Sequence, residues 1–160
     1  MENTIDFGSG ITRVHHDVYR SDAVSVFPLT DSYELYMIKQ YRYLHKKFIL
    51  ESIAGMVEEG ELPMETAKKE LKEEAGIFAK DLRVFKTVEI GASMYKATQH
   101  FILAKDLTIT TAEPEETEEI ELVKISMGDA MEKVLSGEIY TAGSIIGILL
   151  LDKMIQRGEI

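Results

Sequence analysis

Apolar and polar residues alternate through Ile11 to Arg20 and Ala23 to Leu29, then again through Tyr33 to Tyr41 after the short turn Thr30-Asp31-Ser32. A period of two marks half-buried strands, and the short turn predicts antiparallel pairing. Lys47 to Ala54 predicts a further strand, and Gly55 to Glu61 a loop with two glycines. The period then changes. Met64, Ala67, Leu71 and Ala75 recur at spacings of three and four, which places them on one stripe of a helix. Pro63 suits its first turn and Gly76 its C-terminal cap. Leu82 to Ile90, Lys96 to Ala104 and Ile120 to Ile125 predict three more strands. Ser126 predicts the cap of a short helix ending near Gly137, and Thr141 that of a last helix ending near Gly158. One helix among the strands and two at the end predict an α/β sandwich around a mixed or antiparallel sheet, not a doubly wound parallel one.

Composition narrows the classes. The chain has 160 residues, 45% apolar and 29% charged, which predicts one domain over residues 1–160 with a sizeable core. The longest apolar block, Ile145 to Leu151, is far shorter than a membrane span and contains Gly147. Met1 to Asp6 carries two acids and no basic residue, so it does not predict a secretory signal. A net charge of −10 argues against nucleic-acid backbones and anionic membranes as partners. With no cysteine, disulfides, thiol catalysis and cysteine-held metals are excluded, and a reducing cytoplasm is the expected location. An acidic protein that handles an anionic substrate needs a metal cation or a few well-placed arginines.

The helix carries more carboxylates than its stability asks for. Glu70, Glu73 and Glu74 are i, i+3 and i+4 neighbours that project together beside the apolar stripe. Like charges at that spacing cost about 0.2–0.5 kcal/mol per exposed pair. Mg²⁺ or Mn²⁺ would offset the cost, because these hard cations take carboxylate oxygens and water. Taken alone, the same glutamates also read as an ordinary solvated face. His15, His16, His45 and His100 lack metal-ligand spacing, Gly8-Ser9-Gly10 opens no helix, and no G-x-S-x-G elbow is present.

The spacing around the glutamates favours the metal. Gly55, five residues, Glu61, seven residues, then Lys69-Glu70-Leu71-Lys72-Glu73-Glu74-Ala75-Gly76-Ile77 closely resembles the Nudix box, G-x5-E-x7-R-E-U-x-E-E-x-G-U with U aliphatic. Eight of the nine specified positions, over residues 55–77, agree. The departure is Lys69 in place of arginine, which keeps the charge without the planar fork. The resemblance implies an α/β/α sandwich and divalent-metal cleavage of a nucleoside diphosphate linked to another group. It implies Glu70 and Glu74 as principal metal ligands, Glu73 sharing, and the carbonyl of Ala54 or Gly55 completing the set. It also implies an ion pair of Glu61 with Lys69 that braces the loop.

Outside the box, Gln40-Tyr41-Arg42, Leu50-Glu51-Ser52-Ile53-Ala54-Gly55, Ser136-Gly137-Glu138-Ile139 and Ala142-Gly143-Ser144-Ile145 resemble the ADP-ribose pyrophosphatase branch. That branch implies a homodimer built through the N-terminal strands, here about residues 11–29, with Arg20, Arg42 and Glu51 at the substrate. Its catalytic glutamate falls on a loop matching Glu113 to Glu119, with Glu118 and Glu116 as candidates for the base and Glu73 or Glu70 as the fallback. The branch's proline after the box is absent from Ile90 to Lys96; Tyr95 there resembles a mark of the dinucleoside polyphosphate branch and packs or stacks a base. The reading is therefore hydrolysis of ADP-ribose to AMP and ribose 5-phosphate. Another nucleotide sugar or a dinucleoside polyphosphate, and a non-catalytic nucleotide-binding module of the same fold, are the alternatives.

Overall fold

The computed structural model describes residues 1–114 and 119–160. The elements run β1 (Glu2–Asp6), β2 (Thr12–His16), β3 (Val18–Tyr19), β4 (Ala23–Pro28), β5 (Glu34–Arg42), β6 (Lys47–Glu51), β7 (Ile53–Met56), α1 (Pro63–Ala75), β8 (Ile77–Glu89), β9 (Tyr95–Lys96), β10 (Thr98–Ile109), β11 (Ile120–Ser126), α2 (Met127–Leu135) and α3 (Ala142–Gln156). A four-stranded sheet has the order β7-β4-β10-β8, with β4 parallel to β10 and the other pairs antiparallel. A three-stranded antiparallel sheet has the order β11-β5-β6. The expected mixed α/β sandwich is the fold found.

Period-two alternation splits the core into two layers. Val24 and Val26 of β4, Ile38 of β5, and Ile102 and Ala104 of β10 pack with Ala67, Leu71 and Ala75 of α1. Their neighbours Phe27, Leu35, Met37, Phe101 and Leu103 pack on the other side with Met127 and Ala130 of α2 and Ile148 and Leu151 of α3. The central strands thus bury both faces between helices. Gly147 allows α3 to close on this layer: a Cβ there would lie 2.0 Å from Cζ of Phe27. Phe27 is itself buried between Phe85 and Phe101, so the ring has nowhere to go. Gly147→Ala is expected to cost about 2–3 kcal/mol by overpacking. The melting temperature should fall by roughly 5–10 °C in calorimetry.

Helix α1 forms as its stripe predicts. Pro63 occupies the first turn, and the Glu65 carboxylate accepts the Leu62 N–H at 3.1 Å. Burying Leu71, at 1% exposure, contributes roughly 1.5–3 kcal/mol. Gly76 ends the helix in the left-handed region, at φ 60°.

Three strand boundaries differ from the pattern. Ile11 to Arg20 is not one strand: it divides at Asp17, whose N–H donates to Met1 O at 2.8 Å and whose carboxylate accepts from Asn3. The partner β1 was not expected, because Glu2–Asp6 is mostly polar and shows no apolar alternation. Lys47 to Ala54 divides at Ser52, where the chain passes from one sheet to the other. There the backbone N–H donates to Ser144 Oγ at 2.9 Å instead of to a strand. The ribbon of β8 and β10 is also longer than expected, because Ile77 pairs with Ile109 directly after the Gly76 cap.

Candidate functional site

Two carboxylates of α1 converge on one backbone step. The Ala54 N–H donates to Glu74 Oε2 at 3.1 Å. Glu70 lies against the next residue: a Cβ on Gly55 would sit 2.0 Å from Glu70 Oε1, so the carboxylate occupies the space that the missing side chain leaves. Glu74 is buried, with 4% of its surface exposed, and Glu70 and Glu73 are half-buried. The stripe that seats α1 on β7 and β4 therefore fixes these glutamates as well, since Leu71 and Ala75 point into the core beside them.

Ala54 and Gly55 also line a cleft of about 430 Å³. Arg20, Arg42 and Glu51 line the same cleft, so five of the residues that the sequence singles out meet there. Arg42 Nε donates to Glu51 Oε1 at 2.6 Å, and Glu51 is 7% exposed. A guanidinium holding a nearly buried carboxylate keeps its remaining N–H donors in a fixed plane. Arg20 is exposed, with Nη2 3.5 Å from Met56 Sδ. Tyr95 is not among the cleft's lining residues; it stands on β9, paired with Val18 of β3.

The bracing contact differs from the expected one. Lys69 Nζ lies 3.4 Å from Glu58, while Glu61 accepts the Thr66 hydroxyl at 2.8 Å and the Glu58 N–H at 3.4 Å. Both glutamates belong to the loop before α1, so the loop is still tied to the helix, through one cationic contact and one neutral one. The Glu58 carboxylate holds the Lys69 ammonium above its usual pKa, with Glu73 and Glu70 adding to the effect. Lys72 is raised likewise by Glu113, 2.9 Å away.

Glu116 and Glu118 lie outside the described residues. The chain on either side of them is placed. The Glu113 N–H donates to Glu73 O at 3.0 Å, and the Tyr41 N–H donates to Glu119 O at 3.4 Å. The described flanks of the acidic segment are thus tied to the C-terminal part of α1 and to Tyr41 of β5.

The chemistry of the donors suits a hard cation. Among the described residues no three acidic or histidine side chains are drawn together closely enough to hold a metal by themselves. Mg²⁺ does not require that, since it keeps several waters and is commonly held by one or two carboxylates plus substrate phosphates. Glu70 and Glu74, both set against the Ala54–Gly55 step, would supply that pair.

The NUDIX domain family model matches residues 19–138. The chain belongs to the Nudix family. It is similar to the ADP-ribose pyrophosphatase of Bacillus subtilis (strain 168), 31% identical over 149 residues that make up 92% of this chain and 80% of that one. It is 26% identical, over the same shares, to the ADP compounds hydrolase NudE of Escherichia coli (strain K12). A crystal structure of an ADP compounds hydrolase superposes with a TM-score of 0.85 at 24% identity, covering 99% of this chain and 87% of that one, and shows the shared fold. This protein is thus a Nudix hydrolase, and the reading as a non-catalytic module falls away. Among the described residues no helix is long and apolar enough to cross a membrane.

Some of this Nudix cleft was not expected from sequence. Ser25, Ser52 and Gln99 also line it, and Gln99 Nε2 donates to Ser25 Oγ at 3.1 Å. Ser25 carried a signal, as a hydroxyl inside the apolar run Val24-Ser25-Val26-Phe27. Thr141 begins α3 as expected, but its hydroxyl donates to Ser144 Oγ at 2.8 Å instead of capping the helix.

Proposed function

We propose that the protein hydrolyses the pyrophosphate of a nucleoside diphosphate sugar, ADP-ribose first among them, to AMP and ribose 5-phosphate with Mg²⁺ or Mn²⁺. The observation that carries this is the convergence of Glu70 and Glu74 on Ala54–Gly55 at the rim of a cleft holding Arg20 and Arg42. The names of the B. subtilis and E. coli relatives support the choice of an ADP compound.

When bound, the metal neutralises phosphate charge and lowers the pKa of a coordinated water. Glu70 and Glu74 would hold it, Glu73 would share, and the carbonyl of Ala54 or Gly55 would add an oxygen. Arg42, fixed by Glu51, and Arg20 bind the diphosphate and its nucleoside. Lys69 and Glu61 keep the loop against α1, each through the partner described above. Glu118 or Glu116 takes the proton of the attacking water; the described residues on either side, Glu113 and Glu119, hydrogen-bond to Glu73 and to Tyr41, the residue before Arg42. Water adds to one phosphorus, and the bridging P–O bond breaks.

A panel of ADP-ribose, two other nucleotide sugars and a dinucleoside polyphosphate, ranked by kcat/KM in Mg²⁺ with products identified in ¹⁸O-water, tests the reading. ADP-ribose should lead by about tenfold or more, the size of discrimination that ~1.4 kcal/mol gives. An ADP-ribose rate well below several rivals rejects it. The missing proline between Ile90 and Lys96 makes the dinucleoside polyphosphate the rival to watch.

A homodimer belongs to the same proposal. β1 and β2 form a hairpin by themselves, and isolated hairpins are marginal in water. Phe7, Ile11, Val14, Val18 and Tyr19 are each more than half exposed along this N-terminal stretch. A second copy would cover them and bring its own strands toward the cleft near Arg20. Light scattering should give twice the 18.1 kDa chain mass; a monomer at catalytic concentrations removes this part of the proposal.

A further inference from the structure

Part of the cleft's lining is a row of three residues on three neighbouring strands. Met56 of β7 pairs with Ala23 of β4, and Ala23 pairs with Gln99 of β10. Register partners share a face of the sheet, so the three side chains stand in line, and all three line the cleft. Ala23 is the short one. It leaves a notch between Met56 and Gln99 that is two strand spacings wide, roughly 9–10 Å. Met56 is 46% exposed, and its Sδ lies 3.5 Å from Arg20 Nη2, so one side of the notch carries a thioether and a guanidinium. The row begins one residue beyond Gly55, against which Glu70 is set.

The other side of the notch is an amide with one end already engaged. Gln99 Nε2 donates to Ser25 Oγ at 3.1 Å. Ser25 is 2% exposed, and α3 closes on the same oxygen: a Cβ on Gly143 would lie 2.8 Å from it. Water has little access to that bond, so the amide nitrogen stays turned toward Ser25. The amide oxygen lies on the other side of the same carbon and has no hydrogen-bond partner among the described residues. What Gln99 offers a ligand in the cleft is therefore an acceptor. A nucleotide brings two kinds of donor, the exocyclic amine of its base and the hydroxyls of its ribose. The notch favours the amine, because a guanidinium plane and a polarisable thioether suit the face of a ring. We propose that the notch over Ala23 seats the base of the nucleotide, and that Gln99 selects a base with an amino group, adenine above hypoxanthine, with Ser25 as the residue that positions the amide. Hypoxanthine carries a carbonyl where adenine carries the amine, so acceptor would face acceptor, and a site built around a hydrogen bond rejects the analogue that lacks it. This rests on the reading of the cleft as the nucleotide site.

The test titrates AMP and IMP separately into the full chain in Mg²⁺ by calorimetry; neither has a pyrophosphate to hydrolyse. AMP should bind about tenfold or more tightly than IMP. Gln99→Met, close in volume, should weaken AMP about tenfold and bring the two within twofold of each other. Ser25→Ala should narrow the ratio by strengthening IMP, since the freed amide can turn its N–H₂ to the carbonyl; a merely structural role for Ser25 would weaken both nucleotides alike. Equal affinities in the wild type, or a ratio that survives Gln99→Met, overturn the proposal and leave the hydrolytic reading standing. So does hydrolysis of ADP-ribose with no measurable binding of either monophosphate. A ratio that collapses in Gln99→Met while no nucleotide sugar is hydrolysed has the opposite meaning: the base seat stands and the reaction assigned to the cleft falls.

Discussion

Glu70→Gln is expected to lower kcat about 10³-fold at saturating Mg²⁺, corresponding to ~4 kcal/mol of lost transition-state stabilisation. The side chain keeps its length, so the amide fits the space beside Gly55 and the fold should be unchanged in circular dichroism and melting temperature. What disappears is one full negative charge from the proposed hard-oxygen donor set. Glu74→Gln should behave alike. The amide oxygen can still accept the Ala54 N–H, so the buried position remains satisfied while the charge is lost. Glu65→Gln, on the same helix but engaged with the Leu62 N–H, is the control and should keep the wild-type rate. Near wild-type turnover in both Glu70→Gln and Glu74→Gln would remove the catalytic assignment of the box.

What could be read in advance followed local physics. The stripe Met64, Ala67, Leu71 and Ala75 needs only a period of 3.6, and it fixed α1, which in turn oriented Glu70 and Glu74. The Gly76 cap and the Ser126 cap were legible for the same reason, and Ser126 Oγ does accept the Asp129 N–H at 3.0 Å. The parts that were not legible depend on distant partners. The break at Ser52 is made by a hydroxyl 92 positions away. The preference of Lys69 for Glu58 over Glu61 rests on where a loop turns and on Thr66 having already engaged Glu61. Neither leaves a periodic trace.

Gly55→Ala separates the position of Glu70 from its charge. In β7, Gly55 pairs with Val24 of β4, and its φ is not in the left-handed region, so alanine suits the backbone. The new methyl would stand 2.0 Å from Glu70 Oε1 and 2.5 Å from its Cγ. The three atoms nearest to it all belong to the flexible Glu70 side chain. Glu70 must therefore swing to another rotamer, at small cost to the fold, and its carboxylate moves with it. A misplacement of about 1 Å costs on the order of 10²-fold in rate. The expected variant melts within ~2 °C of wild type, turns over about 10²-fold more slowly and needs more Mg²⁺ to reach half its maximum rate. Gly147→Ala should show the reverse, with lost stability and a normal kcat in the folded fraction, because its methyl meets the enclosed Phe27 ring and not a ligand. If Gly55→Ala retained wild-type kinetics, the contact of Glu70 with this strand would be packing alone, and the metal would have to be sought elsewhere on the acidic face of α1.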